Sequence, residues 1–518
     1  MRIPYSCVAT YGDVVFAARG GQIQTFKLGG GPALTTWNHP EAEREAAASA
    51  ESVARGAEKR GHVAGAETPT VEDGPPTKRQ RVEQGTPEES TPETGTPTLQ
   101  EEAGDENKGR KKGRKGHGNS RGPISRQQDY HLIILLEVST DGKHVVAVSG
   151  NDKTLWVFDH DGNGALKEAS KRAMPKRPSG VAISPDSKAI IVADKFGDVY
   201  ALPLDPADSL SGLATSLAVK HQRDPLKPAA NAHTVHSKIN LRSLEMQHRA
   251  LERRDKTPTA GTPKPEEPAF EHTLILGHVS MLTGVLVREY EGRRYIITSD
   301  RDEHIRVSRY LPQNHVIEAF CLGHKEFVSC LAVSDVYPGV LVSGGGDHEL
   351  FVWNWPTGAL LSKADILSTA RGVSNVQHVA VSRIASSGSS IFAICEGIPA
   401  VFQWTLSDAH TLDDCRILRL PADPLDIAIP STSEPTLLVA VNARDDEASS
   451  EPSASLLTYT STDEGCSNWV PKAQGFDESA AKDSVLEVTA LDSKKLFYTV
   501  DSLRKNRAQA GEEEDQDE

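Results

Sequence analysis

Two segments of this chain repeat one another, and that repetition narrows the possible folds more than any other feature. Ser149-Gly150-Asn151-Asp152-Lys153-Thr154-Leu155-Trp156-Val157-Phe158-Asp159 is echoed by Ser343-Gly344-Gly345-Gly346-Asp347-His348-Glu349-Leu350-Phe351-Val352-Trp353-Asn354. Each places small polar residues and a turn aspartate before an alternating run that ends in an aromatic and a polar residue. Gly323-His324 precedes the second copy, and Gly277-His278 opens a related unit ending in Asp302-Glu303-His304-Ile305-Arg306-Val307-Ser308. Phe158 to Leu202 and Val307 to Val352 are separated by about the 40–45 residues of one four-stranded unit. Short alternating runs split by turn signals predict an all-β chain. A single small sheet cannot bury both of its faces, so several must pack on one another and close into a ring.

The repeated ending resembles that of a WD40 repeat, in which each unit is one blade of a β-propeller. Weaker units at Ser6–Lys27, Lys176–Leu204, Gln377–Leu406 and Arg416–Tyr459 bring the expected number of blades to seven. The expected layout is blade 1 over residues 1–37, blades 2 and 3 over 131–204, and blades 4 to 7 over 272–500. Ser484–Val500 is expected to return a strand that locks the first blade to the last. A histidine buried in a blade needs a partner for its ring nitrogens. The turn aspartates supply one, so His278 is expected to pair with Asp302 and His324 with Asp347, both pairs structural.

Composition locates what is not propeller. A length of 518 residues suggests roughly three domains at about 150 residues each. Yet only 37% of residues are hydrophobic and 5% aromatic, too few for a chain that is core throughout. The deficit is concentrated. Residues 38–130 hold no Phe or Trp and carry repeated T-P-E and G-T-P units, a composition that predicts disorder. A second poor stretch, 205–271, offers one helix, Ser237–Arg254, with Leu241, Leu244, His248 and Leu251 near one face. Residues 501–518 form an acidic tail ending in EEEDQDE. Without these pieces roughly 340 residues remain, enough for seven blades. The prediction is therefore one domain, a seven-bladed propeller with two long disordered insertions, between blades 1 and 2 and between blades 3 and 4. Closure entropy rises only logarithmically with loop length, so such insertions are tolerated.

Most catalytic chemistry is excluded by what the motifs lack. No P-loop, H-E-x-x-H or G-x-S-x-G occurs. The glycines of Ser343–Asp347 precede a strand, whereas a cofactor loop opens a helix, so they read as a turn. Leu28-Gly29-Gly30-Gly31-Pro32 leads to no helix either. The six cysteines are scattered with no C-x-x-C, which is neither a disulfide framework nor a zinc site and suits a reducing compartment. No catalytic residue and no metal ligand is expected. No apolar run is long enough to cross a membrane, and the N-terminus lacks the apolar centre of a secretory signal. A net charge of −15 argues against nonspecific nucleic-acid binding by the whole surface. The first insertion nonetheless carries basic clusters. Lys78, Arg79 and Arg81 read as a nuclear-localisation signal. Lys108–Lys115 suits a second import signal, an arm on phosphates or a solvated charge run.

The least ordinary stretch is Ile296–Tyr310. The repeat pattern wants an aromatic where Ser308 stands, and charged residues crowd the preceding turn. By alternation Ile305 and Val307 face one way and Arg306 and Ser308 the other. Such a departure from a local rule marks a functional surface. Together with Leu276–Thr283 and Phe320–Ser329, this stretch resembles the WD-repeat, non-catalytic subunit of fungal-type tRNA (guanine-N7-)-methyltransferase. Val181–Leu202 and Leu496–Lys505 resemble it more weakly. The resemblance implies a heterodimer with a Rossmann-fold catalytic subunit, which binds S-adenosylmethionine and makes N7-methylguanosine in the tRNA variable loop. This chain, itself without cofactor, would stabilise and activate that subunit and help seat the tRNA. It also implies a contact patch of Arg301, Asp302, Glu303, His304 and Arg306, with Arg306 central. Composition and the basic insertion equally allow a nuclear WD40 scaffold for chromatin or ribosome assembly, which gives no reason for the charged Asp300–Arg309 stretch. An enzyme with a site in the central channel is the competing reading from another class.

Overall fold

The computed structural model describes residues 3–42, 44, 131–210, 242, 245–246, 249, 270–443, 454–461, 468–472, 475–477 and 496–505. Seven four-stranded antiparallel sheets account for nearly all of the regular structure. Blade 1 is Cys7–Tyr11, Val14–Arg19, Gln22–Lys27 and Thr35–Asn38. Blade 2 is Ile133–Val138, His144–Ser149, Thr154–His160 and Leu166–Ala173. Blade 3 is Pro178–Ile183, Ala189–Asp194, Asp198–Pro203 and Thr273–Gly277. Blade 4 is Leu282–Tyr290, Arg293–Asp300, Ile305–Arg309 and Ile317–Cys321. Blade 5 is Val328–Val333, Val340–Gly345, Glu349–Asn354 and Ala359–Asp365. Blade 6 is Val381–Ser387, Ser390–Cys395, Ala400–Leu406 and Leu412–Arg419. Blade 7 is Pro424–Ala428, Thr436–Val441, Leu456–Ser461 and Trp469–Pro471.

The strand sequences follow from position in the blade. Second strands such as Ala189–Asp194 and Thr436–Val441 are buried at every residue and are apolar at five of their six positions. Outer strands such as Leu166–Ala173 and Leu412–Arg419 face water and are charged. Each inner strand lies against the inner strand of the next blade, and the first lies against the last, so the ring is closed. Seven hydrophobic clusters result, one at every blade boundary. Six of the inner strands carry a register shift near their start, for example between Leu282 and Gly284. A bulge there bends and twists the strand.

Two expectations change. The second insertion does not separate blades 3 and 4. It leaves after the third strand of blade 3, and Thr273–Gly277 returns as the fourth, pairing with Asp198–Ala201. Residues 273–277 therefore belong to blade 3 and not to the fourth. Residues 484–495 of the expected closing strand lie outside the described residues; among the described ones, blades 1 and 7 each draw all four strands from their own segment. Packing closes the ring. Tyr5, Val8, Val15 and Phe26 of the first blade bury against Leu438, Ala440 and Leu456 of the last. The carboxylate of Asp426 accepts the Val8 amide at 2.8 Å and the Arg383 guanidinium at 2.8 Å, tying blades 1, 6 and 7 together. Finally, the tail does not begin at 501, since Asp501–Lys505 lies against the propeller. The basic clusters, residues 43–130 apart from 44, and the acidic end beyond 505 lie outside the described residues, as does most of 211–269. Within the helix expected over 237–254, the described positions 242, 245, 246 and 249 are helical.

Asp426→Ala would strand the buried Val8 N–H. The expected loss of unfolding free energy is about 1–3 kcal/mol, measurable by urea denaturation. A loss below about 0.5 kcal/mol, the size of an ordinary surface change, would show that closure does not depend on this carboxylate.

Candidate partner-docking site

Blade 5 shows what the repeat builds when its residues are complete. His324 sits between Asp347, 2.8 Å from Nδ1, and Ser343, 2.7 Å from Nε2. The Trp353 indole N–H donates to Ser343 Oγ at 2.8 Å. An indole can only donate, so Ser343 accepts that bond and turns its own proton to Nε2. The Nδ1 proton then goes to Asp347. Phe351 covers the imidazole at a ring separation of 3.9 Å. Burial raises the Asp347 carboxyl, but His324 and the Lys325 and Glu326 amides outweigh it and hold the group below the usual range.

Blade 4 has the same frame with its key side chains replaced. On the ladder Ser308 opposes Ile296 where Trp353 opposes Leu341, so serine stands where the indole would be. Two residues earlier, Arg306 stands where Phe351 covers the histidine. The expected pair of His278 with Asp302 does not form. His278 Nε2 lies 3.1 Å from Thr298 Oγ1, and Asp302 instead meets Lys505 at 3.2 Å. Without an indole to anchor the serine, Arg306 fills the space, donating to Ser308 Oγ at 2.9 Å and to the Gly277 carbonyl at 3.2 Å. Burial, then the nearby charges of Arg306 and His304, push His278 down to about 4. This imidazole is therefore neutral near pH 7.

The five residues of the expected patch divide into two groups. Arg301, Asp302 and Glu303 are engaged by the chain's own C-terminal segment. Arg301 Nε donates to the Leu503 carbonyl at 2.8 Å, and Lys505 bridges Asp302 and Glu303 at 3.2 and 3.1 Å. His304 remains half open, with 50% of its side chain exposed, and Arg306 keeps donors toward solvent.

That C-terminal segment is a strap across blades 7 to 4. Tyr498 Oη accepts from Asn442 Nδ2 at 2.8 Å, and Glu396 accepts the Val500 and Asp501 amides at 2.7 and 3.0 Å. Arg504 donates to the Gly346 and Val379 carbonyls, pairs with Glu326 at 3.4 Å and lies over the Phe327 ring. Composition alone could not separate Arg504 and Lys505 from the acidic run that follows.

Beside Arg306 the surface turns apolar, which sequence reasoning missed. Phe196 is 64% exposed and Val279 fully so. Their loops touch, because the His278 amide donates to the Gly197 carbonyl at 2.7 Å. A side chain on Gly197, at φ +95°, would collide with the His278 carbonyl, so glycine is required for this approach. Lys176 lies over the Phe196 ring at 4.4 Å. The signal was a lone phenylalanine in a glycine-containing turn, where a soluble blade has no use for one. Arg306, His304, Val279 and Phe196 thus share one rim of blades 3 and 4, an apolar pair flanked by cations.

A second histidine–aspartate pair draws its histidine, His39, from the segment expected to be disordered. His39 Nε2 meets Asp152 at 3.1 Å, and His131 stacks on the His39 ring at 4.6 Å. The first insertion therefore leaves and re-enters between two stacked imidazoles. Chemically the described residues are quiet. Burial pushes the thiols of Cys7, Cys321 and Cys330 up to about 12, so none is a nucleophile. No group of three His, Cys, Asp or Glu among the described residues could hold a metal. No helix among them is long and apolar enough to cross a membrane.

A family model described as the tRNA methyltransferase TRM82 WD40 domain matches residues 15–460. The chain belongs to the TRM82 family. A relative from Sclerotinia sclerotiorum is 36% identical over 467 residues, covering 85% of each chain. One from Aspergillus clavatus is 36% identical and covers 74% of this chain and 80% of its own. One from Phaeosphaeria nodorum is 40% identical and covers 60% and 66%. All three are named tRNA (guanine-N(7)-)-methyltransferase non-catalytic subunit, and this TRM82 member is likewise not the enzyme. Its matched residues take in the whole rim of blades 3 and 4, while the strap lies beyond them.

The His278 environment is testable. Its titration midpoint by NMR should lie near 4 and rise toward the ordinary 6.5 in Arg306→Gln, which removes a nearby positive charge. Its folded pKa lies below the unfolded one, so its stabilising contribution falls as pH drops from about 6.5 to about 4. An unchanged midpoint in the variant would mean that Arg306 does not face the ring. For the strap, Arg504→Ala should speed hydrogen exchange at the Val500 and Asp501 amides while blade amides stay protected. Unaltered exchange there would show that Arg504 does not anchor it.

Proposed function

We propose that this chain is the non-catalytic subunit of a heterodimeric tRNA (guanine-N7-)-methyltransferase, and that the rim of blades 3 and 4 receives the catalytic subunit. The observation that carries the reading is the replacement in blade 4. An aromatic cap and an indole anchor have given way to Arg306 and Ser308, which gives up the ring packing seen in blade 5 and leaves a guanidinium beside exposed Phe196 and Val279. A flat apolar pair beside a fixed cation suits a partner surface with an acidic side chain at its centre. Arginine favours a carboxylate there because its planar fork can bind both oxygens.

In this reading the partner binds S-adenosylmethionine and transfers the methyl group to guanine N7 in the tRNA variable loop. The propeller contributes a rigid surface that stabilises and activates the partner and helps seat the RNA. Arg306 and His304 meet the partner directly. Arg301, Asp302 and Glu303 act through the strap, which holds the turn of blade 4 in place. Lys78, Arg79 and Arg81 direct the chain to the nucleus.

Arg306→Glu should abolish co-purification of the methyltransferase while leaving the propeller folded. Breaking a desolvated ion pair across an interface from one side costs about 2–5 kcal/mol, roughly a 30-fold to several-thousand-fold loss of affinity. Wild-type affinity in that variant, with circular dichroism unchanged, would remove Arg306 from the interface.

A further inference from the structure

We propose that a second site, at the opposite end of blade 4 from Arg306, binds phosphate groups of the RNA backbone. A cavity of about 420 Å³ lies between the turns of blades 3 and 4, lined by Lys188, Arg293, Arg294, Arg309 and Tyr310 with Asp186 as its single acid. Arg294 and Arg309 are fixed in place. Arg294 pairs with Asp186 at 2.6 Å and lies over the Tyr310 ring, and Arg309 pairs with Glu318 and with Gln313 at 2.9 Å. Lys188 and Arg293 differ, since neither side chain has a bonding partner among the described residues. Two of the four cations are thus already paired with Asp186, Glu289 and Glu318, and Lys188 and Arg293 supply the positive charge left over in a chain whose net charge is −15. A polyanion is repelled by such a chain as a whole, so any contact with it concentrates where cations outnumber acids. Guanidinium groups held in a concave site match phosphate oxygens in geometry as well as charge.

RNA is favoured over a phosphorylated peptide by the proposed function, on which this inference rests. Arg306 and Arg309 stand three residues apart on one strand, so the cavity begins roughly 10 Å from Arg306 at about 3.3 Å per residue. An RNA held here would therefore run beside the bound partner.

The test uses the full chain, alone and with its catalytic partner, carrying Lys188→Gln and Arg293→Gln together. Neither side chain is bonded among the described residues, so folding and partner co-purification should match wild type. Binding of an unmodified tRNA transcript to the full chain, followed by fluorescence anisotropy across a salt series, should weaken about tenfold. Its log–log salt slope should fall by about 2, one for each lost phosphate contact. In the complex, KM for tRNA should rise with kcat retained. An unchanged slope and affinity would overturn the site. So would a phosphothreonine peptide that binds the wild-type cavity, but not the variant, while tRNA binding is the same in both. Failure of the wild-type chain to bind a methyltransferase would instead count against the proposed function, and the anisotropy measurement would still judge the cavity.

Discussion

Everything in this molecule depends on closing a ring of sheets that are individually unstable. Five of the seven blades bury their second strand completely, only because a neighbour covers each face, and the seven boundary clusters make that cover continuous. The boundary between first and last blades joins residues far apart in the chain, so its closure costs the most loop entropy. It is held by the Tyr5 and Phe26 packing and by Asp426, which accepts from Val8 across the boundary and from Arg383 of blade 6. A long insertion costs such a ring little if it enters and leaves at adjacent points. The stacked His39 and His131 provide that for the first insertion. Pairing of Asp198–Ala201 with Thr273–Gly277 provides it for the second.

Within this frame blade 4 exchanges stability for a surface. Blade 5 shows the stabilising version, in which His324, Asp347, Ser343 and Trp353 satisfy one another in a closed chain of bonds. Blade 4 keeps the histidine and the turn aspartate but loses the ring that would join them. Its His278 is left with a threonine, and Asp302 turns outward to Lys505. The strap then does from outside what the missing bonds would do from within. It bonds Arg301, Asp302 and Glu303 and leaves Arg306 and His304 toward solvent. Exposed pairs such as Lys505 with Asp302 contribute little individually. Arg504 is the stronger anchor, because its bonds reach backbone carbonyls of blade 5 and the loop before blade 6.

The two ends of blade 4 then have different chemistry. One presents apolar rings and methyl groups with a cation, suited to a protein surface. The other is a cavity of guanidinium groups, suited to phosphate. Both arise from short turns on a rigid sheet, where side chains vary without cost to the core.

How much of this was legible in the sequence follows from the range of each interaction. Blade number and the His324–Asp347 arrangement were legible because they depend on periodicity and on a motif complete within one repeat. Ser308 could be seen to break the rule for the same reason. The partner of His278 was not legible, since the aspartate stands at the right spacing and only the packing shows that nothing turns it inward. Phe196 and Val279 lie far apart in the chain and meet because blade 3 borrows its last strand from beyond an insertion. Arg504 and Lys505 read as part of an acidic tail until the ring brings Gly346, Glu326 and Asp302 beneath them. By itself, then, the sequence determined a seven-membered ring and the blade in which its pattern fails, because strand alternation and turn chemistry are local. Tertiary structure alone decided which charges are paired, which rings are left exposed and what the C-terminal strap covers, because those depend on contacts between residues hundreds of positions apart.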